Sequence, residues 1–294
     1  MWIALAVISA VFLGIYDVFK KISVTGNNVL TVLFLNTLFG ALLLSPVIVQ
    51  NLYHIASGNE SMLLQDHLRV LLKSFIVLSS WVLGYFAVKH LPLTITGPIS
   101  ATRPVLVLAG ALFLYREEPN IFQWTGIILG FISLLLIHRI GRREGVLSGG
   151  GKWIWLAMGA AVMGAASGLY DKSLMADGRL TPLFVQSWYS LYQCVIMGIT
   201  IAVLKKTNKE QVKFKWRWSI PAIALFLTCA DIAYFYALAS EQALISVVSM
   251  IRRGSVLVPF CYGIFVLREK NVKWKALDLL LLMAGLLFLV WGSK

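Results

Sequence analysis

Charge is scarce in this sequence, and acid scarcest of all. Asp and Glu together number 13 in 294 residues, and all charged types make up 13% of the chain. A soluble domain carries about 25% charged residues, so this chain lacks the charge to face water on all sides. Cysteine is nearly missing too. Cys194, Cys229 and Cys261 each sit alone inside an apolar run. An odd count at such spacing gives neither a disulfide framework nor a zinc pattern. The histidines, His54, His67, His90 and His138, fall singly near the ends of apolar runs, with no pair at metal-ligand spacing. No nucleophile elbow, phosphate-cradling loop or hydride-cofactor fingerprint appears. These absences argue against an enzyme, an ATP-driven pump, a metal site and a bound cofactor.

What the chain has instead is apolar length. It is 59% hydrophobic, and runs of about 18–25 apolar residues recur along it, each long enough to cross a bilayer. The expected fold is an all-α integral membrane protein of ten transmembrane helices, with no sizeable domain outside the bilayer. The spans read from hydropathy are 2–22, 29–49, 68–88, 93–115, 121–137, 153–175, 183–204, 220–239, 242–267 and 276–291. The first is full length, without a basic front or a small-residue cleavage site, so it reads as a span and not a cleavable signal. Trp2, Trp153, Trp216, Trp218, Trp274 and Trp291 fall at span ends, where an indole is half wet and half dry. The net charge of +13 has its bland explanation in the membrane, because Lys and Arg crowd the loops after odd-numbered spans. Nucleic acid is therefore not an expected partner. The same asymmetry puts those loops in the cytoplasm and both termini outside.

The two halves echo one another. GIYD at Gly14–Asp17 returns as GLYD at Gly168–Asp171, 154 residues on; FLYRE at Phe113–Glu117 returns as FVLRE at Phe265–Glu269, 152 on; Arg103 precedes Arg253 by 150. Such self-similarity marks a structural repeat. Each half holds five spans. Five is odd, so the second half must run upside down relative to the first, the arrangement secondary transporters use around a central site. The division expected is a first repeat over 1–139, a linker over 140–152 and a second repeat over 153–294. Gly126 and Gly130 permit close helix packing, which leaves a homodimer open.

Three arginines lie deep inside spans: Arg103 beside Pro104, and the adjacent pair Arg252 and Arg253. Each costs about 2.5–3.5 kcal/mol at that depth on insertion scales. The pair points about 100° apart on a helix, so both cannot face one ligand along one line. Either at least one binds an anionic substrate through its planar fork, or both are locked in structural ion pairs. Asp17, Asp171 and Asp231 are the candidate partners. Asp17 and Asp171, at equivalent places in the two repeats, read as gate latches that could also bind a proton, or as structural partners of Lys20 or Lys21 and of Lys172; Asp231, the deepest, is the best proton-coupling candidate. Tyr16, Tyr170, Tyr234 and Tyr236 stand beside these charges and could line a cavity or simply pack. The central arginines are expected to meet in a polar cavity.

With five spans repeated and the stretch RPVLVLAGALFLYREE closing the fourth, the chain resembles the ten-span EamA-type members of the drug/metabolite transporter superfamily. Pro104 and Glu117 stand where that pattern has a mid-helix proline and a closing glutamate. In span nine Glu269 keeps the glutamate, while Gly254 replaces the proline. A narrower likeness points to the sugar-phosphate and nucleotide-sugar translocators, whose basic pair and lysine match Arg252-Arg253 and Lys172, with Arg in place of Lys in the pair. The resemblance implies a multi-pass protein of a bacterial inner membrane that moves a small organic metabolite by alternating access. An anionic or phosphorylated cargo, exchanged or proton-coupled, is the first reading. An exporter of amino acids or amphipathic drugs, with structural arginines, is the second.

Overall fold

The computed structural model describes residues 2–56, 64–107, 120–143, 151–175, 181–206, 213–238, 251–269 and 271–292. Every regular element among the described residues is a helix, as the apolar runs require, because an isolated backbone in lipid must satisfy its own polar groups. The helices are α1 (Trp2–Val24), α2 (Val29–Leu43), α3 (Ser45–Ala56), α4 (Leu64–His90), α5 (Leu93–Ala101), α6 (Ile121–Arg143), α7 (Lys152–Met175), α8 (Pro182–Lys206), α9 (Ser219–Leu238), α10 (Leu257–Phe265) and α11 (Val272–Gly292). By length and composition, α1, α4, α7, α8 and α11 can each cross a membrane, and α2 with α3 makes a sixth span if the bent pair is one. Apolar stripes face outward at helical spacing. Ile3, Val7 and Val11 on α1, and Val195, Ile199 and Val203 on α8, are all exposed. Such faces suit lipid and not water.

Four helix pairings build the bundle: α1 with α9, α4 with α7, α6 with α11, and α2 with α8. Small residues and buried hydroxyls make the contacts close. Ser9 Oγ donates to the Ala230 carbonyl at 2.6 Å, and Ser80 Oγ to the Ala160 carbonyl at 2.8 Å. A methyl group on Gly126 would sit 2.7 Å from the Gly285 carbonyl oxygen, and one on Gly130 would sit 2.5 Å from Val105 Cγ2. The Gly126/Gly130 face, which the sequence leaves open for a second copy, is thus filled from within the chain.

Two expectations need correction. The second span is not one straight helix: α2 and α3 meet at 58°. Pro46 lacks the N–H that would continue the ladder, and its ring crowds the preceding turn. The polar stretch after it is also shorter than hydropathy suggests, since α3 runs to Ala56 and α4 begins at Leu64.

Both spans expected to carry the arginines are interrupted. α5 ends at Ala101, Thr102 forms a turn, and residues 103–107 are helical again. Pro104 removes one backbone donor, and Thr102 Oγ1 donates to the Ile99 carbonyl at 2.7 Å. In the later stretch, residues 251–253 are helical, Gly254–Val256 tighten to a 3-10 turn, and α10 follows. Pro259 stands at the third position of α10, where it has no N–H to give the carbonyl four residues back. Arg103 therefore follows one break and Arg253 precedes the other.

One end of the bundle is tied by charge-assisted bonds. The Glu269 carboxylate accepts from the Leu93 N–H at 2.8 Å, from the Thr94 N–H at 3.1 Å, and from the Thr94 hydroxyl. It caps α5 where the helix dipole favours an anion. Lys21 Nζ donates to the carbonyls of Val88 and Leu91 at 2.7 and 2.6 Å, closing the C-terminus of α4 in the complementary sense.

Candidate functional site

The breaks deliver the arginines to one place. Arg253 lies within electrostatic reach of Arg103 and Arg252, and Arg103 within reach of Asp17, Tyr16 and Lys20. The Arg103 guanidinium lies flat on Gly164 of α7: a Cβ there would be 2.7 Å from Nε and 2.8 Å from Cζ. Nε of Arg103 and Nε of Arg253 are both buried without a hydrogen-bond partner. Neither arginine forms an ion pair within 4.0 Å among the described residues. A buried guanidinium left in that state costs free energy until something anionic meets it.

The other charges of the cluster are paired. Lys20 bonds Asp17 one turn back on α1, and its Nζ stands 4.5 Å from the ring centre of Tyr16 and 5.6 Å from that of Tyr85. Arg252 bonds Asp231 on α9 and lies 4.2 Å over the ring of Tyr234. Among the described residues the cluster therefore holds four cations, Lys20, Arg103, Arg252 and Arg253, against two carboxylates, Asp17 and Asp231. Among the described residues, two of those positive charges have no carboxylate to match them.

A polar cavity adjoins this cluster through Asp231. It lies between α2, α4, α8 and α9 and has room for about one water molecule. Asn36, Gln186 and Gln193 bring three carboxamides to its wall, and Trp81 and Tyr189 bring aromatic faces. Asn36, Gln186 and Gln193 are 2%, 4% and 1% exposed. Hydropathy reading passes over these amides because single polar residues barely dent a strongly apolar window. The signal was present nonetheless: Gln186, Ser190 and Gln193 recur at i, i+4 and i+7, which places them on one face of α8, and an amide inside a span is costly enough to mark a site.

The sequence candidates divide as follows. Arg103, Arg252, Arg253, Tyr16, Tyr234, Asp17 and Asp231 come together, with Lys20 and Tyr85 added. Tyr170 does not join them: its hydroxyl donates to the Arg69 carbonyl at 3.2 Å, and its ring packs against the cluster of Val70, Leu174, Phe184 and Trp188. Tyr236 is 68% exposed, because it stands two residues from Tyr234 on α9 and so on another side of the helix. It lines no interior surface. The side chains of Asp171 and Lys172, on α7, lie outside the described residues, as do Glu117 and Glu241. No group of three or more His, Cys, Asp or Glu able to hold a metal occurs among the described residues.

Comparison with known proteins agrees with this architecture. The EamA-like transporter family matches residues 1–139. A curated relative, the "Uncharacterized transporter YxxF" of Bacillus subtilis (strain 168), is 28% identical over 123 residues. That match covers 42% of this chain and 40% of the relative, so the chain spans about two-fifths of the length of the curated relative it matches. With its apolar helices, the chain is a multi-pass integral membrane protein, and its first half is similar to EamA-like transporters.

Proposed function

We propose that the chain is a secondary transporter that moves a small organic anion, carboxylated or phosphorylated, across a bacterial inner membrane by alternating access. The observation that carries this reading is the pair Arg103 and Arg253, each beside a helix break, each with a buried Nε that has no hydrogen-bond partner among the described residues, and both in one cluster whose described cations outnumber its described carboxylates. Broken helices that hold charge at a repeat interface are how such transporters build a substrate site. In this reading the breaks complete two further spans, and the chain has ten, as two inverted repeats of five.

The pairing pattern supports that symmetry. Exchanging the halves turns the α1–α9 contact into the α7–α4 contact, and it maps α6–α11 and α2–α8 each onto itself. All four main pairings are accounted for by a single exchange. Each exchanged pair is also tied by one hydroxyl-to-carbonyl bond, Ser9 to Ala230 in one and Ser80 to Ala160 in the other, although the donor sits on opposite members of the two pairs.

An anion entering the cluster would neutralise Arg103 and Arg253 and stabilise a closed state, after which the repeats would rock. Because leaving the arginines empty is costly, exchange against a second anion fits better than net transport. Coupling to protons through Asp231 would first require it to release Arg252.

The test is uptake of an anion panel (gluconate, inorganic phosphate and a hexose 6-phosphate) into proteoliposomes containing the full chain, with Arg253→Gln beside the unaltered protein. Loss of uptake of at least one accepted anion is expected. Unchanged uptake of every accepted anion would end the proposal. The Arg252–Asp231 pair favours a second reading at one residue: Arg252 is tied as a structural arginine would be, as in an exporter of amino acids or amphipathic drugs. Thermal stabilisation by amines, and not by anions, would favour that exporter.

A further inference from the structure

Asp278 is a carboxyl group that neither the arginine cluster nor the amide cavity uses. It stands on the spanning helix α11, about 9 Å along the axis from the first residue, and is 0% exposed. Across the α6–α11 contact, the buried Ser133 Oγ donates to Asp278 Oδ1 at 2.9 Å. Asp278 Oδ2 is buried without a hydrogen-bond partner. An ionised carboxylate offers about four lone-pair sites, and one is answered here. Asp278 forms no ion pair within 4.0 Å among the described residues. Lys275, one turn earlier on α11, has its Nζ 4.0 Å from Glu269 Oε2. From α6 the charged Arg139 points outward and is exposed. α5 carries no ionisable residue, and beyond it Arg103 faces Asp17 and Tyr16. On α10, Cys261 is exposed and Tyr262 packs on the side of Leu93 and Tyr85.

An anion in that place would have exchanged its water for one hydroxyl. Such a group takes a proton rather than bear the charge. A proton needs no room of its own, so close packing is no bar to it. The packing also ties Asp278 to the breaks. Leu279, the next residue, and Leu282 share a core cluster with Ala101, Val256 and Phe260. Ala101 ends α5 two residues before Arg103, and Val256 ends the 3-10 turn three residues after Arg253. On the other helix, Val105 fills the space over Gly130, three residues before Ser133. Both helices that share the Ser133–Asp278 bond therefore lean on the segments that carry the arginines.

We propose that Asp278 is a proton-binding site: it holds a proton on Oδ2 while α6 and α11 are packed together, and gives that proton to water when the two helices part. Closing the bundle takes one proton from water, and opening returns it. The proton is thus a second ligand of the closed state, bound apart from the arginines. The site itself stands on Asp278 and Ser133, whereas its tie to transport rests on the alternating-access reading above. The sign follows from linkage. The closed state binds one more proton than the open one, so a rise in pH opposes closing, by at most about tenfold per pH unit.

The test variant is Asp278→Asn, which copies the neutral acid and keeps an oxygen to accept from Ser133. Three readouts are taken on the full chain. The infrared difference spectrum at neutral pH, unaltered protein minus variant, should show the C=O band of a protonated carboxylic acid. In detergent, the melting temperature of the unaltered protein should fall relative to the variant from about pH 5 to about pH 8, because the unfolded chain gives up a proton that the packed one keeps. In proteoliposomes, counterflow is measured for gluconate, inorganic phosphate and a hexose 6-phosphate. For each accepted anion the variant-to-unaltered rate ratio, which cancels titration of the anion itself, should rise with pH by up to about tenfold per unit. A carboxylate band in place of the acid band, with melting temperatures that move in parallel, would overturn the proton site. A rate ratio that stays flat with pH would overturn its tie to closing. Absence of counterflow for all three anions would end the anion reading, while the infrared and melting data would still decide the proton site.

Discussion

Gly164 gives the sharpest test of where Arg103 acts. A methyl group on Gly164 would lie 2.7 Å from Nε, 2.8 Å from Cζ and 3.1 Å from an Nη atom of Arg103. Non-bonded heavy atoms prefer about 3.5–4.0 Å, so Gly164→Ala pushes the guanidinium back by roughly 1 Å. The arginine is long and can give way, so the helix need not. Removing a helix-interior glycine itself favours the helix by about 1 kcal/mol. The expected outcome is therefore split: thermal stability unchanged or slightly raised, anion binding weakened. Misplacement of a binding group by 1 Å is worth as much as about 100-fold, and loss of a charge-assisted bond about 1.5–3 kcal/mol. A 10- to 100-fold fall in affinity for the tightest anion is expected.

The same helix supplies its own control. A methyl on Gly159 would meet Leu83 Cδ1 at 3.4 Å, and one on Gly168 would meet Val107 Cγ2 at 3.5 Å. Both are ordinary contacts, so Gly159→Ala and Gly168→Ala should gain helix propensity without touching the anion site. The three variants are compared by melting temperature in detergent and by counterflow uptake in proteoliposomes. If Gly164→Ala transports and binds as Gly159→Ala does, Arg103 does not contact the substrate and the argument for its role fails.

Other outcomes follow from the paired charges and the cap. Asp231→Asn should destabilise by about 3 kcal/mol, because it strips the partner from a mostly buried guanidinium. The double variant Asp231→Asn with Arg252→Gln should recover most of that loss, and a double-mutant cycle in melting temperature with no coupling would show the bond to be idle. Glu269→Gln should cost about 1–2 kcal/mol, since it removes a charge and one acceptor from the N-terminus of α5. An unchanged melting temperature would mean that α5 holds its place by packing alone.

Much of the helical architecture could be read directly from apolar length, because lipid leaves the backbone no other option. What could not be read was where a helix bends or stops. Pro46 and Pro104 were visible, but hydropathy does not register a 58° bend when both arms are apolar. Nor did small-residue spacing reveal its partner. Gly126 and Gly130 advertise a close contact, and the partner that answers, Gly285 with Leu289 on α11 and Val105 near Arg103, is long-range information absent from any local window.

The charged part of the site was legible for a physical reason, and the neutral part was overlooked for the same one. A guanidinium inside a span costs so much that it must be explained, so Arg103 and Arg253 declared themselves. Tyr170 and Tyr236 failed to join them because proximity in sequence says nothing about azimuth: two residues along a helix is 200° of turn. Carboxamides cost less than charges, and one or two per span pass as noise until α2 and α8 pack together and bring Asn36 near Gln186 and Gln193.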